Sequence, residues 1–327
     1  MRAMLLAAGK STRLGALGQS LPKPLVPVCG HPPLAFGLTA CVRAGLTEIV
    51  VNLFHHGDLI RAALGDGAAF GAQVTYSTEV DLLGTGGGIA HARALLGEGP
   101  VLVMNAKVVA DIDVGAVVRA HLASGADATL VVRDDPDART WGAIAADASG
   151  RVVGILDQRA PIVPEGPVVE RMFTGIQVMG PAVRDRLRPV FSDSVRDGYM
   201  PALREGADIR AFVLPAYFAE HSTPARYLAG NLALLRNPAL LAHPPGPLTG
   251  VDPTAHVAPT ARLIPPLRIA AGAVIEATAT VGPDVVVGPG ATVAAGAHLV
   301  RTVVWADQRA AGALTDAIVT PDGVVPI

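Results

Sequence analysis

The sequence predicts an α/β domain built on a mainly parallel sheet, followed by a coil of stacked six-residue units. Three observations carry that prediction. From the N-terminus to about Asn231, short β-branched runs alternate with helical patterns, and strands separated by helices need crossovers that leave the sheet mainly parallel. Residues 237–250 are rich in Pro and Leu and mark a boundary. Beyond them Val251, Val257, Leu263, Ile269, Ile275, Val281, Val287, Val293 and Leu299 recur every six residues, and Trp305 continues the register. The expected organisation is a domain over 1–236, a linker over 237–250 and a coil over 251–327.

The elements follow in order. Residues 4–8, 48–52, 73–77, 101–104 and 129–132 read as strands, and 34–44, 59–64, 89–96 and 114–124 as the helices among them. Ligands of such sheets bind beyond the carboxyl ends of the strands, which directs attention to the loops after Ala8 and Met104. Residues 141–144 and 150–155 read as a hairpin around Asp147-Ala148-Ser149-Gly150. In the coil, each six-residue unit makes one flat face with its aliphatic inward. Small residues, as in Val281-Gly282-Pro283, turn the corners, and stacking buries a continuous column.

Composition excludes several classes. The 26 Lys and Arg nearly balance the 28 Asp and Glu without a basic run, so no nucleic-acid partner is expected. No apolar run reaches the ~20 residues that span a bilayer, and no membrane association is expected. The apolar start, Met1 to Ala8, runs straight into Gly9-Lys10-Ser11-Thr12-Arg13 and is too short for a signal peptide. Cys29 and Cys41 make neither a metal-ligand pattern nor a disulfide framework. Two unpaired thiols suit a reducing compartment, and the expected location is the cytoplasm.

The run ending in Gly9-Lys10-Ser11 invites a P-loop ATPase reading, but that motif needs a glycine at position 4, which is Met. Leu6-Ala7-Ala8-Gly9-Lys10-Ser11-Thr12-Arg13-Leu14, followed by Pro22-Lys23-Pro24-Leu25-Val26-Pro27-Val28, resembles the signature of the sugar-1-phosphate nucleotidyltransferases. The resemblance implies a Rossmann-like nucleotidyltransferase domain. It places nucleotide contacts at Leu6, Ala8, Gly9, Lys10, Ser11 and Thr12, and catalytic cations at Arg13 and Lys23. Small residues after a strand let backbone N–H groups approach phosphate oxygens, and fixed cations suit a transfer that relies on positioning and charge. The coil resembles the left-handed parallel β-helix of hexapeptide-repeat proteins, which several members of this family carry.

A second segment, Leu83-Gly84-Thr85-Gly86-Gly87-Gly88-Ile89-Ala90, is similar to the family's base-binding element. Gly84, Gly87 and Gly88 would let backbone approach a flat base, and Glu79 falls where the family often has a Gln or Glu facing that base. Its wording is closest to the muramate-type uridylyltransferases. On the sugar side, the resemblance points to Gly142, to Arg159 in Gln158-Arg159-Ala160 where the family has Glu-Lys-Pro, and to Thr174 and Gly175 on a strand beneath the sugar.

The pattern breaks where the family binds Mg²⁺. Its Asn-Gly-Asp reads here Asn105-Ala106-Lys107, and its second metal Asp reads Glu220. An ammonium ~4 Å from a divalent cation costs roughly 8 kcal/mol at an effective dielectric of ~20, before solvent relaxation. Asp111 and Asp113 match acidic positions already downstream in the family. Three readings stay open. Lys107 turns into solvent, leaving a crippled metal site at Glu220; Lys107 takes the place of Mg²⁺ and binds phosphate with Asn105 nearby; or metal is held by substrate phosphates. The implied reaction is NTP plus sugar-1-phosphate giving NDP-sugar plus pyrophosphate, with Mg²⁺ if active. The alternative is a catalytically silent subunit that binds nucleotide or NDP-sugar and pairs with an active homologue. A homo-oligomer is the other assembly expected. His55, His56, His91 and His221 form no triad or metal constellation.

Overall fold

The computed structural model describes the backbone of residues 1–327 and every side chain except that of Trp141. It divides into two compact units. One comprises Met1–Gly9, Gly37–Ala106 and Ile112–Ala216, and the other Lys10–Phe36, Lys107–Asp111 and Tyr217–Ile327.

The first unit is the predicted sheet. Strands Gln73–Thr78, Glu48–Leu53, Arg2–Leu6 and Val101–Asn105 lie side by side in that order, all parallel. The near-continuous apolar runs of Glu48–Leu53, Arg2–Leu6 and Val101–Asn105 fit a sheet covered on both faces, while the edge strand Gln73–Thr78 is mostly polar. All five predicted strands are present, and the predicted helices are found as Pro33–Arg43, Gly57–Leu64, Gly84–His91 with Arg93–Leu96, and Val114–Ser124. One strand intrudes. Val169–Met179 runs antiparallel between Val101–Asn105 and Ala128–Arg133, so those two predicted strands are not neighbours. The hairpin also forms, from Ala143–Ala146 and Val152–Ile155, with Asp147 accepting from the amides of Ser149 and Arg151 in its turn. The core runs through Met4, Val50, Ile89, Val103, Leu130, Val132, Ile144 and the buried Tyr199.

The second unit holds the parallel β-helix. Ile269 pairs with Val287 and Ile275 with Val293, each eighteen positions further along, so three six-residue units complete one turn. Ile269, Ile275, Val281, Val287, Val293 and Leu299 fill the inside of the coil. The register then shortens. Val287 pairs with Val304, seventeen positions on, and Val304 instead of Trp305 continues the inward column. Trp305 faces outward.

Side chains alternate along each strand: Val285 and Val287 point into the coil while Val286 points out. Outward Val286, Val303, Trp305 and Ile318 make an apolar outer face that the helix Pro224–Arg236 covers with Tyr227, Leu228, Leu232 and Leu235. Residues 237–250 are part of this core. Leu241 and Leu248 are buried in it, and Asp111 accepts the amide of Ala242. The compact units therefore cut across the boundaries 1–236, 237–250 and 251–327, because an apolar outer face has to be covered. Among the described residues no helix is long and apolar enough to cross a membrane.

Candidate functional site

The second unit gathers most of the predicted cations. Ser11 adopts a left-handed conformation and opens a short turn over Thr12–Leu14, with the Leu14 amide donating to the Ser11 carbonyl at 3.0 Å. Leu14 and Leu17 anchor the segment in the core. Lys10, Thr12 and Arg13 remain exposed. The hydroxyl oxygen of Ser11 accepts the amide of Lys23 at 2.9 Å, which ties the two halves of the signature together. Pro22 and Pro24 flank Lys23 in a second short turn, Lys23–Leu25.

That turn is held from below. Tyr227 donates its hydroxyl to the Pro27 carbonyl at 2.5 Å and accepts the indole N–H of Trp305 at 3.0 Å. Asn231 takes the Cys29 amide at 2.7 Å and donates to the Tyr227 carbonyl at 2.9 Å.

Lys107 enters the same cluster on a two-stranded ribbon. Val108–Ala110 pairs antiparallel with Phe218–Glu220, and Glu220 lies opposite Val108. The register brings Lys107 Nζ to 2.6 Å from Glu220 Oε1, with the side chains only 24% and 22% exposed. Electrostatics reports the crowding. Burial, then the charges of Lys107 and Arg13, hold the Lys23 ammonium down to about 8, with Glu220 opposing. Burial pushes the Glu220 carboxyl up, but Lys107, Arg13 and Lys23 outweigh it and leave it below the usual range. Buried His221 is held down to about 4 by desolvation and adds no charge near neutrality.

These residues do not fit a protein-held Mg²⁺. Glu220 is engaged by Lys107, Asp111 by the Ala242 amide, and Asp113 caps the helix Val114–Ser124 through the Ala116 amide. Among the described residues no group of three His, Cys, Asp or Glu can hold a metal ion. Mg²⁺ is ordinarily held by one or two carboxylates together with waters and substrate phosphates, and the carboxylate of this cluster is already paired with an ammonium.

In the first unit, the segment Gly84–His91 is helical, and its glycines serve the protein's own packing. A Cβ on Gly87 would run into the Val190 carbonyl, and one on Gly84 would lie 2.5 Å from that of Ser192. One on Gly88 would meet Asn52 and Glu79, each at 2.8 Å. Glu79 is buried, and both of its oxygens have partners within the chain. One oxygen accepts Asn52 Nδ2 at 2.7 Å and the other accepts the Leu83 amide at 2.9 Å. Asn52 also takes the Ala7 amide at 2.8 Å, so the pair brackets the end of the strand Arg2–Leu6 and the start of the glycine segment. Ala8 is buried, and the Leu6 carbonyl accepts the Ala106 amide at 3.1 Å.

Of the sugar-side residues, Gly142 lines a cleft of about 300 Å³ with Arg139, Ile144, Leu156, Phe173 and Arg196. Arg159 is exposed and engaged by its own hairpin. It lies over Gly154, donates to the Leu156 carbonyl at 3.1 Å and sits 3.9 Å from Glu170. Thr174 is buried and donates to the Val131 carbonyl at 2.7 Å. Gly175, at φ +75°, leaves room for the Asn105 side chain, which any Cβ there would strike.

Residues 2–158 match the family model described as nucleotidyl transferase. The mannose-1-phosphate guanylyltransferase of Mycobacterium tuberculosis is 32% identical over 247 residues, covering 74% of this chain and 67% of that one. The chain belongs to the nucleotidyl transferase family. The N-acetylmuramate alpha-1-phosphate uridylyltransferase of Neisseria meningitidis is 47% identical over 114 residues, covering 35% of this chain and 49% of that protein. The crystal structure of HddC from Yersinia pseudotuberculosis, complexed with GMP-PN, aligns with a TM-score of 0.59 at 21% identity, covering 71% of this chain and 99% of that one. That likeness shows the fold. The chain spans about two thirds of the length of the guanylyltransferase relatives it matches.

For a nucleotidyl transferase family chain, sequence reasoning missed the parts played by Asn52, Tyr227 and Asn231, and it gave Trp305 a place only in the coil's register. Asn52 ends an apolar strand, where an unpaired amide would be costly, and that was a readable signal. The other three act across 78 to 202 residues of chain, and no local pattern announces them.

Proposed function

We propose that this chain is a sugar-1-phosphate nucleotidyltransferase-type protein, turning a nucleoside triphosphate and a sugar-1-phosphate into an NDP-sugar and pyrophosphate. The observation that carries the reading is the cation cluster. Ser11 clasps the Lys23 amide, and Arg13 and Lys107 lie close enough to depress the Lys23 ammonium. Such a cluster suits a polyphosphate. A sugar-phosphate oxygen would attack the α-phosphorus in line, and the bond to the β-phosphate oxygen would break to release pyrophosphate. Arg13 and Lys23 would stabilise the charge that gathers on the leaving group. No step is routed through a protein-held metal.

One observation favours a second reading. Glu220 is occupied by Lys107, which suits a catalytically silent subunit that binds nucleotide or NDP-sugar. Self-association or pairing with a homologous subunit, in the cytoplasm, belongs to the same proposal. Its support is the pair of free, buried thiols Cys29 and Cys41 for the compartment, and the half-open first coil at Val251 for association.

The experiment is pyrophosphate release from a panel of nucleoside triphosphates and sugar-1-phosphates with Mg²⁺ in the buffer, repeated with Lys107→Asp. Turnover by the native protein supports the enzyme and ends the silent reading. Turnover gained only in Lys107→Asp supports the silent reading. Neither protein turning over any pair removes the enzyme reading.

A further inference from the structure

We propose that the cation cluster binds polyphosphate without a protein-held divalent cation, Lys107 exchanging Glu220 for a phosphate oxygen when the anion arrives. The inference rests on reading this cluster as the phosphate site. It decides among the roles open to Lys107 from the geometry of the ribbon.

Solvent is not where Lys107 goes. Its side chain is about three-quarters buried, and its ammonium is held 2.6 Å from Glu220 by the pairing of Val108 with Glu220. A metal is not what the cluster attracts either. Among the described residues, the charges that act on Lys23 are two cations, Lys107 and Arg13, and one carboxylate, Glu220, which feels all three cations in turn, so positive charge is in surplus and a free divalent cation is repelled. His221 brings no compensating charge, since its buried ring is neutral near pH 7. What balances three cations and one anion is a ligand carrying at least two negative charges.

Glu220 then has a definite part. In the free protein it neutralises Lys107 and keeps its chain oriented. A phosphate oxygen offers the same charge-assisted hydrogen bond with more charge behind it. The exchange leaves Glu220 close to the bound anion, so the carboxylate weakens binding while the ammonium strengthens it. This opposition gives the inference a signature that a general loss of structure cannot copy.

The test is calorimetric titration of the full chain with inorganic pyrophosphate, GTP and UTP, in EDTA and again with Mg²⁺. Binding is expected in EDTA, weakened about tenfold by Lys107→Met and largely retained by Lys107→Arg. Glu220→Gln is expected to tighten pyrophosphate in EDTA by roughly threefold to tenfold, an outcome no folding defect produces. Binding that requires Mg²⁺, or Lys107→Met binding as tightly as the native chain, overturns the inference and leaves the nucleotidyltransferase reading standing. No binding of any of the three probes in either buffer overturns both.

Discussion

Two glycines that look alike in the sequence behave differently in the protein. A Cβ on Gly9, within the phosphate-loop signature, meets nothing within 4 Å, whereas one on Gly87, in the glycine segment, strikes the Val190 carbonyl. The polar groups follow the same division. Lys23 carries charge that its neighbours do not satisfy, while both oxygens of Glu79 are spent on Asn52 and the Leu83 amide. Unspent space and unspent charge mark what a ligand can use; a glycine or a carboxylate already answered by the chain marks architecture.

The largest effect should come from breaking the architectural side. Gly87→Ala forces a methyl group against the Val190 carbonyl in a packed region, and overpacking there is expected to cost about 3 kcal/mol. The denaturant midpoint should fall accordingly with an unchanged slope. Gly9→Ala, with open space around its Cβ, should unfold with the native midpoint and lose affinity for nucleoside triphosphate. Equal midpoints for the two variants would erase the distinction between them.

The next effect separates two cations that the sequence reading placed differently, Lys23 as a catalytic cation and Arg159 on the sugar side. Lys23→Met should weaken nucleoside triphosphate binding about a hundredfold, as expected when a charged contact is lost from a half-buried site. Arg159→Met should change it by less than about twofold, because that side chain is folded over Gly154 and its own hairpin carbonyls and is exposed. The pH dependence sharpens the contrast. Lys23 faces Lys107, Arg13 and Glu220, and burial with the two like charges sets its proton affinity near 8. The protonated form binds the anion, so affinity should fall as pH rises through about 8, with a proton taken up on binding near that pH. Lys23→Met should flatten this profile.

How much of this was legible follows from the range of each signal. The coil could be read because a six-residue period repeats locally, and its inward column is the predicted one from Val257 to Leu299, while Val251 at its start is exposed. The reading slipped at Trp305, because the pairing of Val287 with Val304 shortens the turn by one residue. A strict period cannot anticipate a deletion. Lys107 was found by its place beside Asn105, but its partner Glu220 lies 113 residues away and is set by ribbon register. The glycine segment was found and its local reason was not, since only the fold brings the carbonyls of Val190 and Ser192 against it.

The smallest effect concerns how the signature loop is held, and it asks whether the coil belongs to the ligand-using side. Trp305 on the coil donates to Tyr227, and Tyr227 donates to the Pro27 carbonyl, four residues after Lys23. If this chain of bonds positions the turn Lys23–Leu25, Tyr227→Phe and Trp305→Phe should each weaken triphosphate binding by roughly threefold to tenfold, the worth of one neutral hydrogen bond. Because the bonds act in series, the double variant should bind no worse than Tyr227→Phe alone, a non-additivity of the kind seen when residues share one network. Additive losses would mean that the two rings act separately. Unchanged affinity with a lowered melting temperature would mean that they support the core and leave Lys23 where it was.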